Sequence, residues 1–190
     1  MKHIFLFLIL FLSLKFSFAQ NELQNSIKKF GGDTIQWQQD SLLSQADFKG
    51  KPAGSFQGLT YSGIFLDMKQ EDRLLRIYCY TLFICKKSFL KDSSGNLLNH
   101  EQLHFDITEL YARRIRQQLS QKLILDDKNI SSAIQKIYNT QIAELNKAQD
   151  KYDKETAHGT NAIKQKEWSD SIRKQLILLS DYYETEVNID

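Results

Sequence analysis

Hydrophobic positions recur along this chain in two different periods, and the change from one to the other falls near residue 95. Before it, apolar and aromatic residues cluster in short runs bounded by turn residues. One run extends from about Phe56 to Met68. A second extends from about Leu74 to Cys85 and continues towards Leu90. The polar turn Lys69-Gln70-Glu71-Asp72 between them predicts an antiparallel hairpin. Residues 20–55 are polar and rich in turn clusters, with short extended pieces around Thr34 to Trp37 and Ser41 to Ser44.

After the loop Asp92-Ser93-Ser94-Gly95-Asn96, in which Ser94 or Asn96 can cap a helix, the apolar spacing becomes three and four. Leu97, Leu98, Leu103, Ile107, Leu110, Tyr111, Ile115 and Leu119 place a first helix over about 97–123. The polar break Asp126-Asp127-Lys128-Asn129 starts a second, with a stripe of Ile130, Ile134, Ile137, Leu145, Ala148 and Tyr152. Gly159 ends it as a C′ residue would. A third runs from about Asn161 to Tyr183, with Ile163, Trp168, Ile172, Leu176 and Leu179 facing inward. Strands followed by helices make the class α+β.

The first 19 of the 190 residues read differently from the rest. Lys2, the apolar run Ile4 to Leu14 and the small residues of Ser17-Phe18-Ala19 form a secretory signal peptide. The run is shorter than the roughly 20 residues that span a bilayer. Residues 20–190 then form a single domain destined for the periplasm or the medium, with no stable membrane insertion after cleavage. Loss of Lys2 and Lys15 lowers the formal net charge of +2 to near zero, which gives no electrostatic basis for nucleic-acid binding. The two cysteines, Cys79 and Cys85, would lie roughly 20 Å apart on one strand. They read as buried thiols rather than a disulfide.

The chemistry concentrates in His100-Glu101-Gln102-Leu103-His104, an H-E-x-x-H run at the start of the first helix. Residues four apart share a helix face, so two imidazoles can grip one Zn²⁺. Glu101, about 100° around the axis, sits beside the metal, where a general base is needed. A catalytic zinc takes three protein ligands. Relative to His100, Glu109 falls near 180° and Asp106 near 240° on the helix. Both point away from the metal, and they are expected to pair with Arg113 on the solvated face. If the first two helices pack antiparallel about the Asp127 turn, His158 reaches the level of the motif to within about 9 Å. Glu155 satisfies the same arithmetic and is the alternative; imidazole suits zinc and favours His158. Tyr152 could donate to an oxyanion, though a tyrosine on that stripe is also an ordinary core residue.

Leu97 to Ile107 together with Glu109 to Arg113 resemble a bacterial family of predicted secreted zinc-dependent proteases, a domain of unknown function (number nine hundred and twenty-two). Ala46-Asp47-Phe48-Lys49-Gly50-Lys51-Pro52, Ser62-Gly63-Ile64, Tyr152-Asp153, Thr156, His158, Gly159 and Trp168 extend the resemblance in order. The chain departs from the family at Ser88-Phe89, where the family carries tryptophan. The resemblance implies a zincin-like site. The sequence therefore points to a secreted or periplasmic zinc metallopeptidase acting on peptides or proteins. Its alternative is a non-catalytic envelope protein whose metal is structural or vestigial. The strand near Leu82 to Leu90 is expected to offer an edge to an extended substrate.

Overall fold

The computed structural model describes residues 33–92, 95–123 and 129–190. The chain divides into two units, Met1–Thr34 and Ile35–Asp190, and the second contains every site discussed below. The signal-peptide reading of residues 1–19 and the helix break at 126–128 lie outside the described residues.

The hairpin is present. Strands β3 (Ser62–Glu71) and β4 (Leu74–Ile84) pair antiparallel from Glu71↔Leu74 to Ser62↔Phe83. Asp72 takes the left-handed conformation that closes the turn, one that Asp tolerates better than most residues. The β4 residues that alternate to one face, Leu75, Ile77, Cys79, Thr81 and Phe83, are all buried there. The long second strand ends earlier than its apolar run, because the chain bends through a 3₁₀ turn at Cys85–Lys87. Ser88 holds that bend by donating its hydroxyl to the Ile84 carbonyl and accepting the Tyr61 amide. The residues beyond it form β5 (Phe89–Leu90), which pairs with β2 (Gly58–Leu59). The expected Phe56-to-Met68 strand is thus two pieces interrupted at Thr60 and Tyr61. No strand covers 41–44, where Ser44 instead opens a 3₁₀ turn at Gln45–Asp47.

Two short strands complete the main sheet beside β4. One is β1 (Thr34–Gln36); the other is β6 (Glu186–Ile189), paired from Leu75↔Ile189 to Tyr78↔Glu186. The sequence reading missed β6, since four residues after a helix are too few for a periodic signal. It also leaves β4 paired on both sides, so its backbone offers no free edge to a substrate where β3, β1 and β6 flank it.

Helices α1 (Gly95–Lys122), α2 (Ile130–Thr156) and α3 (Ala162–Leu178) follow. Leu103, Ile107, Leu110, Ile115 and Leu119 of α1 share one core with Ile77 and Cys79 of the sheet and Ile134, Leu145 and Tyr152 of α2. Contacts of Tyr152 with His100 and of Gln149 with Thr108 show that α1 and α2 run antiparallel. Helix α3 buries Ile172, whereas Ile163, expected inward, is 74 % exposed. Among the described residues, no helix is long and apolar enough to cross a membrane.

Glu109 and Arg113 do not lie on a solvated face. Both are buried, and Glu109 accepts from Arg113, Arg116 and the Thr81 hydroxyl, tying α1 to β4. Arg116 also donates to the Cys79 and Tyr182 carbonyls, and Arg113 to that of Leu176. Asp106 accepts from Trp37 Nε1 and Gln102. Cys79 and Cys85 are both buried and form no disulfide with each other.

Candidate metal centre

The second and third turns of α1 and the last two of α2 meet where the helices pack, and their polar side chains converge at one point. His100 Nε2 and His104 Nε2 lie 3.2 Å apart, and each is 3.0 Å from Asp153 Oδ1. These three residues form a group able to hold a metal ion.

The hydrogen bonds around the group set the tautomer of each imidazole. Gln149 donates its side-chain amide to the His104 carbonyl and lies within reach of the Thr108 hydroxyl. That orientation turns Gln149 Oε1 to His104 Nδ1, which must donate to it. Gln165 Oε1 accepts the Tyr152 hydroxyl at 2.8 Å and faces His100 Nδ1 at 3.1 Å, so that nitrogen donates as well. A neutral imidazole carries one proton, so with both rings neutral the two Nε2 atoms present lone pairs to each other and to a carboxylate oxygen. Three acceptors at 3.0–3.2 Å repel unless something positive lies among them. Ligands at the usual zinc–nitrogen and zinc–oxygen lengths sit about 3.3 Å apart in a tetrahedron. The donor set and its spacing fit a zinc ion with one position left over.

A proton can partly take the cation's place. Burial pulls the His104 imidazole down, but the hydrogen bond to Asp153 and the charge of Glu101 outweigh it and raise its pKa above the usual range. Burial likewise disfavours the Asp153 carboxylate, yet its hydrogen bonds with His100 and His104 hold it well below the ordinary carboxylate range.

Glu101 lies under the chain segment that carries β2. Burial raises its carboxyl pKa, against the opposing pull of His104 and Thr60. Its Oε2 is buried without a hydrogen-bond partner. A Cβ at Gly58 would stand 2.4 Å from Glu101 Oε1, so the side chain fills the space that glycine leaves. Thr60, two residues on, donates its hydroxyl to the Glu101 carbonyl. Together with α1 and the end of α2 this segment encloses a cleft of about 370 Å³, onto which His100, Glu101, His104 and Asp153 all open.

The structure brings together some of the expected residues and not others. His100, Glu101 and His104 converge as the motif implies. His158, expected as third ligand, is 62 % exposed, with Nδ1 3.4 Å from Asp153 Oδ1 and its ring against Phe56. Asp153 occupies the place assigned to it. The reason lies in the turn: Ala157, His158 and Gly159 all have positive φ, so the helix ends at Thr156 and the chain swings away. Gly159 packs on the His100 ring, where a Cβ would meet the His100 Cβ at 2.9 Å. Glu155, the alternative ligand, faces elsewhere, accepting from Trp168 Nε1 and pairing with Lys151. Tyr152 is fully buried. Its hydroxyl is 3.1 Å from the His100 carbonyl and its ring stacks on the His100 imidazole at 4.6 Å, so it braces that side chain rather than facing the cleft.

Asp153 had a signal in the sequence. It lies one residue further from the Asp127 turn than the middle of the motif, a mismatch of only about 1.5 Å along antiparallel helices. Gln149 and Gln165 carried no recognisable signal.

A family profile described as a bacterial protein of unknown function (DUF922) matches residues 87–159. That segment runs from the bend before β5 to the glycine beneath His100, and it includes His100, Glu101, His104 and Asp153. No curated protein and no solved structure matches the chain.

Proposed function

We propose that the chain is a secreted or periplasmic zinc-dependent metallopeptidase. The observation that carries this reading is the convergence of His100 Nε2, His104 Nε2 and Asp153 Oδ1 within 3.2 Å of one another, beside the buried Glu101 carboxylate whose Oε2 has no hydrogen-bond partner. Zinc held there would polarise a scissile carbonyl and lower the pKa of a water to about 7. Glu101 Oε2 accepts the proton that the attacking water gives up and returns it to the nitrogen that leaves as the peptide C–N bond breaks. Gln149, Gln165 and Tyr152 keep both imidazoles in the tautomer that ligates.

The test is Glu101→Gln. The variant keeps its zinc and loses peptide hydrolysis; a variant that cleaves as fast as wild type contradicts the assigned role. The proximity of His158 to Asp153 supports a second reading. Were its ring to close the fourth coordination position, the metal would be structural and the protein a non-catalytic zinc-binding envelope protein. In that case zinc is present but no peptide is cleaved, and His158→Ala weakens zinc binding.

A further inference from the structure

The cleft over the motif has a composition that restricts what it can hold. One wall is the extended segment Ser55–Thr60, and its alternation is legible from its contacts. Thr60 bonds to α1, Gly58 stands over Glu101, and Phe56, two residues earlier on the same side, reaches His158. Leu59 on that wall is 39 % exposed, and Leu97 of α1 lies opposite as part of the lining. Phe56, 54 % exposed, stands at the rim.

Among the described residues no lysine or arginine lines this cleft. Lys91, which approaches the preceding loop, is engaged by the Gly54 carbonyl. Among the described residues, a peptide's terminal carboxylate would find no lysine or arginine beside the metal position, and burying it without such a partner is costly. The acidic groups are Glu101, which is assigned to proton transfer, and Asp153, which the two imidazoles claim. Among the described residues lining the cleft, no spare carboxylate remains to receive a terminal ammonium. A volume of about 370 Å³ accommodates a few residues of extended chain.

We propose that the cleft takes the interior of a peptide rather than an end, and that it seats an uncharged apolar side chain beside the scissile bond against Phe56 and Leu97. The chain is then an endopeptidase with apolar preference. This rests on the metallopeptidase reading and narrows its substrate class.

The experiment has two arms, both on the whole zinc-loaded protein. In the first, the Glu101→Gln variant is titrated with short peptides blocked at both ends, carrying either leucine or phenylalanine, or aspartate or lysine, at the central position. The apolar peptides bind at least about tenfold more tightly, and adding Phe56→Ala removes most of that difference without changing zinc content or the circular-dichroism spectrum. In the second, wild type is offered the same blocked peptides and their free-ended counterparts. Cleavage of the blocked apolar peptides at an internal bond is expected. Equal binding and cleavage of charged and apolar peptides, or trimming of free ends alone, overturns the proposal and leaves the hydrolase standing. Apolar selectivity in the first arm with no cleavage in the second overturns the hydrolase reading and the endopeptidase claim together.

Discussion

Gln149 Oε1 accepts a hydrogen bond from His104 Nδ1, while the amide nitrogen of the same side chain donates to the His104 carbonyl. One residue therefore grips both the ring and the backbone of a candidate ligand, and leaves the ring one tautomer. Gln165 does the corresponding service for the ring of His100.

These two amides are expected to matter for the metal more than for the fold. Gln149→Ala and Gln165→Ala should each lower zinc affinity by roughly 10- to 100-fold, with little change in far-ultraviolet circular dichroism. Competition with a chromophoric chelator measures this. Unaltered affinity in both variants would show that the tautomers are set in some other way.

The two glycines that touch the site should fail in different ways. At Gly159, φ is +83° and a Cβ would meet His100, so Gly159→Ala combines backbone strain with displacement of a ligand. It should cost about 1–3 kcal/mol of stability and weaken zinc binding. Gly58→Ala drives a methyl group into the Glu101 carboxylate. It should reduce hydrolysis while zinc content holds. Denaturant midpoints and metal analysis on both variants separate the two effects; a Gly58→Ala protein with full activity refutes the packing argument.

Helices α1, α2 and α3 and the hairpin could be read from the sequence because their apolar periods are long and uninterrupted. The motif residues could be read because spacing four on a helix is a geometric statement. What could not be read depended on contacts between distant segments. Glu109 and Arg113 look like an ordinary solvated face until β4, Trp37 and the end of α3 cover them. The sequence reading favoured an imidazole, His158, over a carboxylate, whereas the side chain that the structure brings to the two motif imidazoles is Asp153, which meets the helix-length criterion more closely. The positive φ at Ala157 and His158, neither of them glycine, gave no warning that the helix stops before His158.

The buried ionic cluster makes its own prediction. Glu109 alone answers two arginine side chains that are each about 1 % exposed. Glu109→Gln should destabilise the protein by roughly 3–5 kcal/mol, because it leaves buried charge unmatched. Urea unfolding of the zinc-free protein gives the value. A loss below about 1 kcal/mol would mean that water reaches these guanidinium groups.

Neither thiol should react in the folded state. Burial pushes the Cys79 thiol up to about 12, so almost none is thiolate at neutral pH, and Cys85 is 2 % exposed. A chromogenic disulfide reagent should find no accessible thiol in native protein and two after denaturation. Two fast-reacting thiols before denaturation would contradict the packing of β4 against α1.

The most direct measurement is anomalous diffraction at the zinc absorption edge from crystals of the protein grown with zinc and without a histidine tag. One site per chain is expected, with His100 Nε2, His104 Nε2 and a carboxylate oxygen of Asp153 at about 2.0–2.2 Å and Glu101 beside the ion without ligating it. A zinc ion bound elsewhere, or none between these three side chains, would contradict the reading on which the proposed activity stands.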